Sequence, residues 1–150
     1  MGYAKYRPMQ QTEDIAVFTS KGEKTRYYPQ LEKRDKPIKA GGNNVPQRTY
    51  GKMSSIGNGS EYKKTYEYKN PTTLLRFDKI RKGALHPTEK PVPLLEYLIK
   101  TYTIEGDLIL DNCMGSGSTG VAALNTGRDF IGIELNKEYF EIAKQRIEKC

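Results

Sequence analysis

Residues able to do chemistry concentrate between Leu108 and Glu134, in the run LILDNCMGSGSTGVAALNTGRDFIGIE. A carboxylate, Asp111, closes an apolar run; Gly115, Gly117 and Gly120 follow in the spacing G-x-G-x-x-G; a second carboxylate, Glu134, closes the next apolar run 19 positions after Gly115. Glycines let a backbone approach a ligand closely, and the N–H groups at the start of a helix point outward with partial positive charge. An acidic residue ending the second strand of such a unit accepts hydrogen bonds from ribose hydroxyls. The chemistry indicated is the holding of an adenosine-containing cofactor. Asp111 separates the possible classes. A dinucleotide sets its pyrophosphate against the helix N-terminus, where a neighbouring carboxylate repels it. S-Adenosylmethionine has no phosphate and carries an ammonium and a sulfonium, which the same carboxylate favours.

A second cluster is LHPTEKP, from Leu85 to Pro91, containing His86, the only histidine of the chain. A lone histidine is more often structural than catalytic. Pro87 and Pro91 stiffen a bend, and Thr88 and Lys90 can hydrogen-bond beside it.

The elements that must position these residues are legible in the periodicity. Leu94, Leu95, Leu98, Ile99 and Tyr102 form one apolar stripe on a helix closed by Gly106. Leu108–Leu110 is a strand, Gly117–Asn125 a helix ended by Gly127, and Phe130–Ile133 a strand. Asn136 then caps a helix with Tyr139, Phe140, Ala143 and Ile147 on its inner side. This succession implies an α/β unit with parallel strands and a right-handed crossover. Upstream, Asp14–Phe18 is expected to be a strand. Residues 29–72 carry so many prolines and glycines that long regular elements are not expected there. Two strong strands and a weaker one leave an apolar sheet edge open, so the chain is expected to be part of a larger sheet.

Composition fits this division. The 150 residues are 36% hydrophobic, modest for one domain, so much of the chain should be loop or lean on another surface. The net charge of +7 is uneven: residues 1–90 carry 19 Lys and Arg against 9 Asp and Glu, and the remainder 6 against 9. Eight of the eleven tyrosines fall in the basic part. Tyr50, Tyr62, Tyr66 and Tyr68 alternate there with Arg48, Lys52, Lys63 and Lys64, the candidate nucleic-acid contacts: cations release counterions from phosphates, and aromatic faces stack on unpaired bases. A solvated loop explains the same charge run without a ligand. Cys113 and Cys150 are too far apart for a metal knuckle, and no signal-peptide pattern or membrane-length apolar run is present. A cytoplasmic protein without metal is expected.

Together, HPTEKP, LLEYLIKTYT and GDLILDNCMGSGSTGVAALNTGRDFIGIELNKEYFEIAKQRI closely resemble the C-terminal half of DNA amino-methyltransferases of the permuted, catalytic-region-first class. These enzymes methylate the exocyclic amino group of adenine or cytosine. The resemblance is dense over residues 86–149, and RPMQQTEDIAVFTSKGEKTRYYPQ resembles the passage before their target-recognition region. It implies a partial methyltransferase (Rossmann-like) sheet with a loop-rich basic insertion, double-stranded DNA as partner and S-adenosylmethionine as cofactor. Residues 1–30 would end the catalytic subdomain, 31–85 would be the recognition region and 86–150 the cofactor subdomain. Asp111, Gly115, Ser116, Gly117, Ser118 and Thr119 would line the methionine end of the cofactor, and Glu134 would hold the ribose. His86, Pro87, Thr88 and Lys90 would cover its other side. Asn112 and Cys113 depart from the bulkier or proline-like pair usual in the family.

The family's chemistry also needs Asp, Asn or Ser followed by two prolines and an aromatic residue, which hold and stack the flipped base. No Pro-Pro pair occurs in the chain, and Asn70-Pro71-Thr72 lacks the second proline and the aromatic ring. The chain is therefore expected to be the C-terminal portion of such an enzyme, inactive alone and missing an N-terminal catalytic half, with adenine placed ahead of cytosine as target. Two other readings compete: a non-enzymatic DNA-binding remnant with a vestigial cofactor fold, and a nicotinamide-dependent oxidoreductase, against which Asp111 and LHPTEKP both speak.

Overall fold

The computed structural model describes residues 12–40, 64–78, 80 and 82–150. Strands β1 (Glu32–Ala40) and β2 (Lys64–Lys69) precede helix α1 (Val92–Tyr102), strand β3 (Leu108–Asp111), helix α2 (Ser118–Asn125), strand β4 (Asp129–Gly132) and helix α3 (Lys137–Ile147). β3 and β4 pair in parallel, Leu108 opposite Asp129 through Asp111 opposite Gly132, with α2 as the crossover. This is the expected α/β unit.

Local chemistry explains the helix boundaries. α1 starts on Pro91 with proline in its first turn, where the missing N–H costs no hydrogen bond. It ends at Thr103, whose N–H donates to Ile99 O, and not at Gly106, which lies in the turn leading to β3. α3 is capped as expected: the Asn136 side chain accepts from the N–H groups of Glu138 and Tyr139. Ala143 faces inward and is fully buried, whereas Phe140, expected on the inner side, is 39% exposed.

The core lies on one side of the two-stranded sheet. Ile99 of α1 meets Ala122 and Ala123 of α2, and Val92, Leu95, Ile109 and Phe130 pack around them. Alternate strand residues point the other way, so Leu108, Leu110, Ile131 and Ile133 are each about half exposed or more. Parallel strands are ordinarily covered on both faces. Arg128 closes the far end of the unit: its guanidinium donates to Thr103 O at 2.9 Å and to Thr126 O, tying the C-termini of α1 and α2 together.

Two sequence expectations fail in the N-terminal part. Asp14–Phe18 is not in a ladder and Phe18 is 87% exposed, because no described strand offers its backbone a partner. The chain beyond it is held by backbone and polar contacts alongside α1: Tyr28 N–H donates to Thr101 O at 2.7 Å, and Arg26 pairs with Asp107 at 3.2 Å. Conversely, the proline-rich stretch does form a regular pair, β1 antiparallel to β2. The register passes from Lys33 opposite Tyr68 to Ile38 opposite Tyr66, so Pro37 falls in an irregularity where no ladder N–H is required of it.

Candidate functional site

At the C-terminal ends of β3 and β4 the glycine loop turns back on the sheet. Met114 N–H donates to Ile133 O at 3.0 Å and Ile133 N–H to Asp111 O at 2.9 Å, extending the parallel pairing past the strands. Gly117 adopts φ +78° and ψ 22° to start α2. A Cβ there would lie 2.9 Å from Ala143 Cβ, so the loop's close seat on α3 needs glycine. Gly115 also has positive φ, +52°, and a Cβ on it would come within 3.3 Å of the His86 ring.

Asp111, the last residue of β3, is held by the loop that follows it and by the first turn of α2. Thr119 hydroxyl donates to its Oδ2 at 2.6 Å, and Cys113 N–H donates to its Oδ1 at 3.1 Å. Glu134 sits beside the loop from the other strand: its Oε2 accepts from Gly115 N–H at 2.8 Å and its Oε1 from Asn136 N–H at 2.9 Å. The Asn136 and Gly115 amides hold this carboxyl below the usual carboxylate range. Each oxygen keeps lone-pair capacity for a further donor.

The HPTEKP segment folds over the loop. His86 stacks edge-on against Tyr139, ring centroids 4.4 Å apart. Its Nδ1 accepts from Thr88 N–H at 3.3 Å and lies 3.1 Å from Thr88 Oγ1. A small, half-open cavity of about 110 Å³ lies between segment and loop, lined by His86, Thr88, Lys90, Asp111, Gly115, Ser116, Ser118 and Thr119, together with Glu89, Leu95, Cys113 and Met114. Sites that enclose a cofactor-sized molecule are roughly 300–1,000 Å³. The described residues therefore form part of a wall, not a whole enclosure. A larger open groove of about 530 Å³ lies at the opposite end of the strands, around Lys100, Thr126 and Arg128, away from both motifs.

Eight of the eleven cofactor residues named from the sequence thus share one cavity. Pro87 is exposed, Gly117 is turned against α3, and Glu134 stands at the loop's edge without lining the cavity. Of the proposed DNA contacts, Arg48, Lys52 and Lys63 lie outside the described residues, and Lys64 is the first residue of β2. Sequence reasoning missed Glu89 and Arg146. Glu89 stood inside a motif already singled out, but Arg146 had no local signal; only the fold brings its Nη1 within 2.6 Å of Glu89 Oε1.

Comparison with known proteins bears on the family of the chain. A family model described as DNA methylase, of the N6/N4 type, matches residues 1–145. The type II methyltransferase M2.DpnII of Streptococcus pneumoniae is 44% identical over 100 residues, covering 66% of this chain and 35% of its own length. The DNA adenine methyltransferase YhdJ of Escherichia coli (strain K12) is 44% identical over 63 residues, covering 42% and 21%. Among solved structures, the M1.HpyAVI–SAM complex is similar at 44% identity with a TM-score of 0.45, over 49% of this chain and 36% of that one. The chain spans about a third of the length of M2.DpnII and less of YhdJ. With the family model matching nearly its whole length, and the glycine loop, its two carboxylates and the covering HPTEKP segment assembled on one sheet edge, the chain belongs to the N6/N4 DNA methylase family.

Proposed function

We propose that residues 86–150 are the S-adenosylmethionine-binding part of a DNA methyltransferase acting on an exocyclic amino group, adenine ahead of cytosine. The observation that carries this reading is the Asp111 carboxylate, fixed by Thr119 at 2.6 Å in the first turn of α2. It sets negative charge where a dinucleotide would put its pyrophosphate and where the ammonium and sulfonium of S-adenosylmethionine find a counter-charge. The rest of the cavity agrees. Ser116, Ser118 and Thr119 offer hydroxyls, and the cation that lines it, Lys90, is paired with Glu13 at 3.2 Å. When bound, S-adenosylmethionine supplies an electrophilic methyl group. The chain's own residues orient and enclose: Asp111 fixes the charged end, Glu134 accepts from hydroxyls, and His86 closes the loop from above.

The acceptor base needs polar and aromatic contacts that align its nitrogen with the methyl, and proximity of that kind supplies several kcal/mol, about 7–11 in favourable cases. This chain has no Pro-Pro-aromatic motif for that task. Its length relative to M2.DpnII and the bare apolar face of β3 and β4 support the reading that a catalytic portion, carrying further strands and helices, completes the enzyme. Residues 31–85, basic and tyrosine-rich, would then contact double-stranded DNA. DNA as substrate places the enzyme in the cytoplasm with the genome.

Calorimetric titration of the 150-residue chain tests the reading. Saturable one-to-one heat with S-adenosylmethionine and none with a nicotinamide dinucleotide are expected, together with no methyl transfer to DNA by the chain alone. Heat with the nicotinamide instead, or no heat with either, refutes the cofactor assignment; the latter is the result of a DNA-binding remnant. Methyl transfer by the isolated chain refutes the division of labour.

A further inference from the structure

Leu85–Lys90 covers the glycine loop, and beyond the His86 ring against Tyr139 it brings little apolar surface to hold it there. Leu85 is 45% exposed, Pro87 and Thr88 are exposed, and Lys90 reaches out to Glu13. Glu89 is different: its side chain is only 3% exposed. Its Oε2 accepts from Leu85 N–H at 2.7 Å, closing the segment on itself. Its Oε1 lies 2.6 Å from Arg146 Nη1 and accepts from Ser118 hydroxyl at 3.2 Å. The same Nη1 lies 3.2 Å from Ser116 O and 3.2 Å from Ser118 Oγ, so its two hydrogens are shared among the segment, the loop and the start of α2. Ser116 and Ser118 flank Gly117, the residue whose left-handed turn sets where α2 begins.

We propose that Glu89 and Arg146 form a latch, a pair of positioning residues that fixes the covering segment on the glycine loop and thereby sets the affinity of the site for S-adenosylmethionine. This rests on the cofactor reading given above. A buried ion pair contributes little net stability, because desolvation offsets the attraction. What it imposes is geometry, since the carboxylate is satisfied only when the Leu85 amide, the Ser118 hydroxyl and the guanidinium converge on it. Burial by itself pushes the Glu89 carboxyl up; the Leu85 amide, Arg146 and Ser118 outweigh it and hold the group ionised.

The test is a double-mutant cycle of Glu89→Gln and Arg146→Lys in the whole chain, read by calorimetry with S-adenosylmethionine, by thermal unfolding, and by hydrogen exchange at the Leu85 amide. Each single variant is expected to raise Kd about tenfold, or about 1.4 kcal/mol, and to speed Leu85 exchange. The double variant should be no worse than the weaker single one. Arg146→Lys keeps the charge, so a fold-wide collapse is not expected to mask the result. Unchanged Kd with lowered thermal stability, or strictly additive losses, overturns the latch. A wild-type chain that takes up no S-adenosylmethionine refutes the cofactor reading and with it the affinity role. Leu85 exchange then decides whether the pair fixes the segment at all, and equal protection in wild type and Arg146→Lys refutes that too.

Discussion

Replacing Gly117 with alanine imposes two separable costs on one position. The backbone there is left-handed, φ +78° and ψ 22°, which costs a residue with a Cβ about 1–2 kcal/mol. The new methyl would also stand 2.9 Å from Ala143 Cβ and 3.0 Å from Ala143 Cα. Ala143 is fully buried and its Cα is helix backbone, so relief requires α3 to move. Overpacking of this kind costs about 1–3 kcal/mol. The sum is about 2–5 kcal/mol, a large share of the roughly 5–15 kcal/mol of an ordinary domain. Gly106 is the internal control: its φ is +82°, yet a Cβ there meets nothing within 4 Å, so Gly106→Ala should cost only the backbone term of about 1–2 kcal/mol. Urea unfolding followed by circular dichroism should place Gly117→Ala below Gly106→Ala by about 1–3 kcal/mol. Equal losses in the two variants would show that α3 does not press on the loop and would remove the physical basis for the site's shape.

Further outcomes follow from other contacts. Because the folded Glu89 carboxyl lies below its ordinary value of 4.5, its contribution is complete above that pH and is lost as pH falls through the depressed folded value; unfolding curves between pH 2 and 6, roughly the carboxylate range, should show an acid-side loss that Glu89→Gln lessens. Arg128→Met should destabilise by about 1.5–3 kcal/mol in chemical unfolding, since it strips donors from the carbonyls of Thr103 and Thr126; a change under about 0.5 kcal/mol, typical of surface positions, would contradict that bridging role. Asn136→Ala should cost about 1 kcal/mol through the lost cap, and loss of helicity without loss of stability would contradict it. Leu110→Lys, at a position 64% exposed, should leave unfolding within about 0.5 kcal/mol; a large destabilisation would mean the face is already covered.

The α/β unit was readable because its signals are local. Apolar runs mark β3 and β4, Asn136 has a capping side chain, and the glycines stand where the chain must turn. Most of the cavity lining was readable for the same reason, as Asp111–Thr119 and His86–Lys90 are each contiguous. What escaped depends on distant partners. Arg146 meets Ser116 thirty positions away, a contact that no periodicity encodes. Asp14–Phe18 has strand-forming residues but no described strand beside it, so propensity alone produced an element the fold does not make. β1 was hidden by the opposite error: Pro37 reads as a breaker, yet the irregular register opposite β2 accommodates it. Gly117 matched the cofactor pattern through its spacing, but what a side chain there would meet is Ala143 and Ile147 of α3.

The most direct measurement is a heteronuclear NMR titration of the labelled chain with S-adenosylmethionine. Saturable shifts are expected on the amides of Asp111–Thr119, His86–Lys90 and Glu134, and not around Lys100, Thr126 and Arg128. Shifts confined to that second groove, or none anywhere, would contradict the assignment of the glycine loop as the cofactor site.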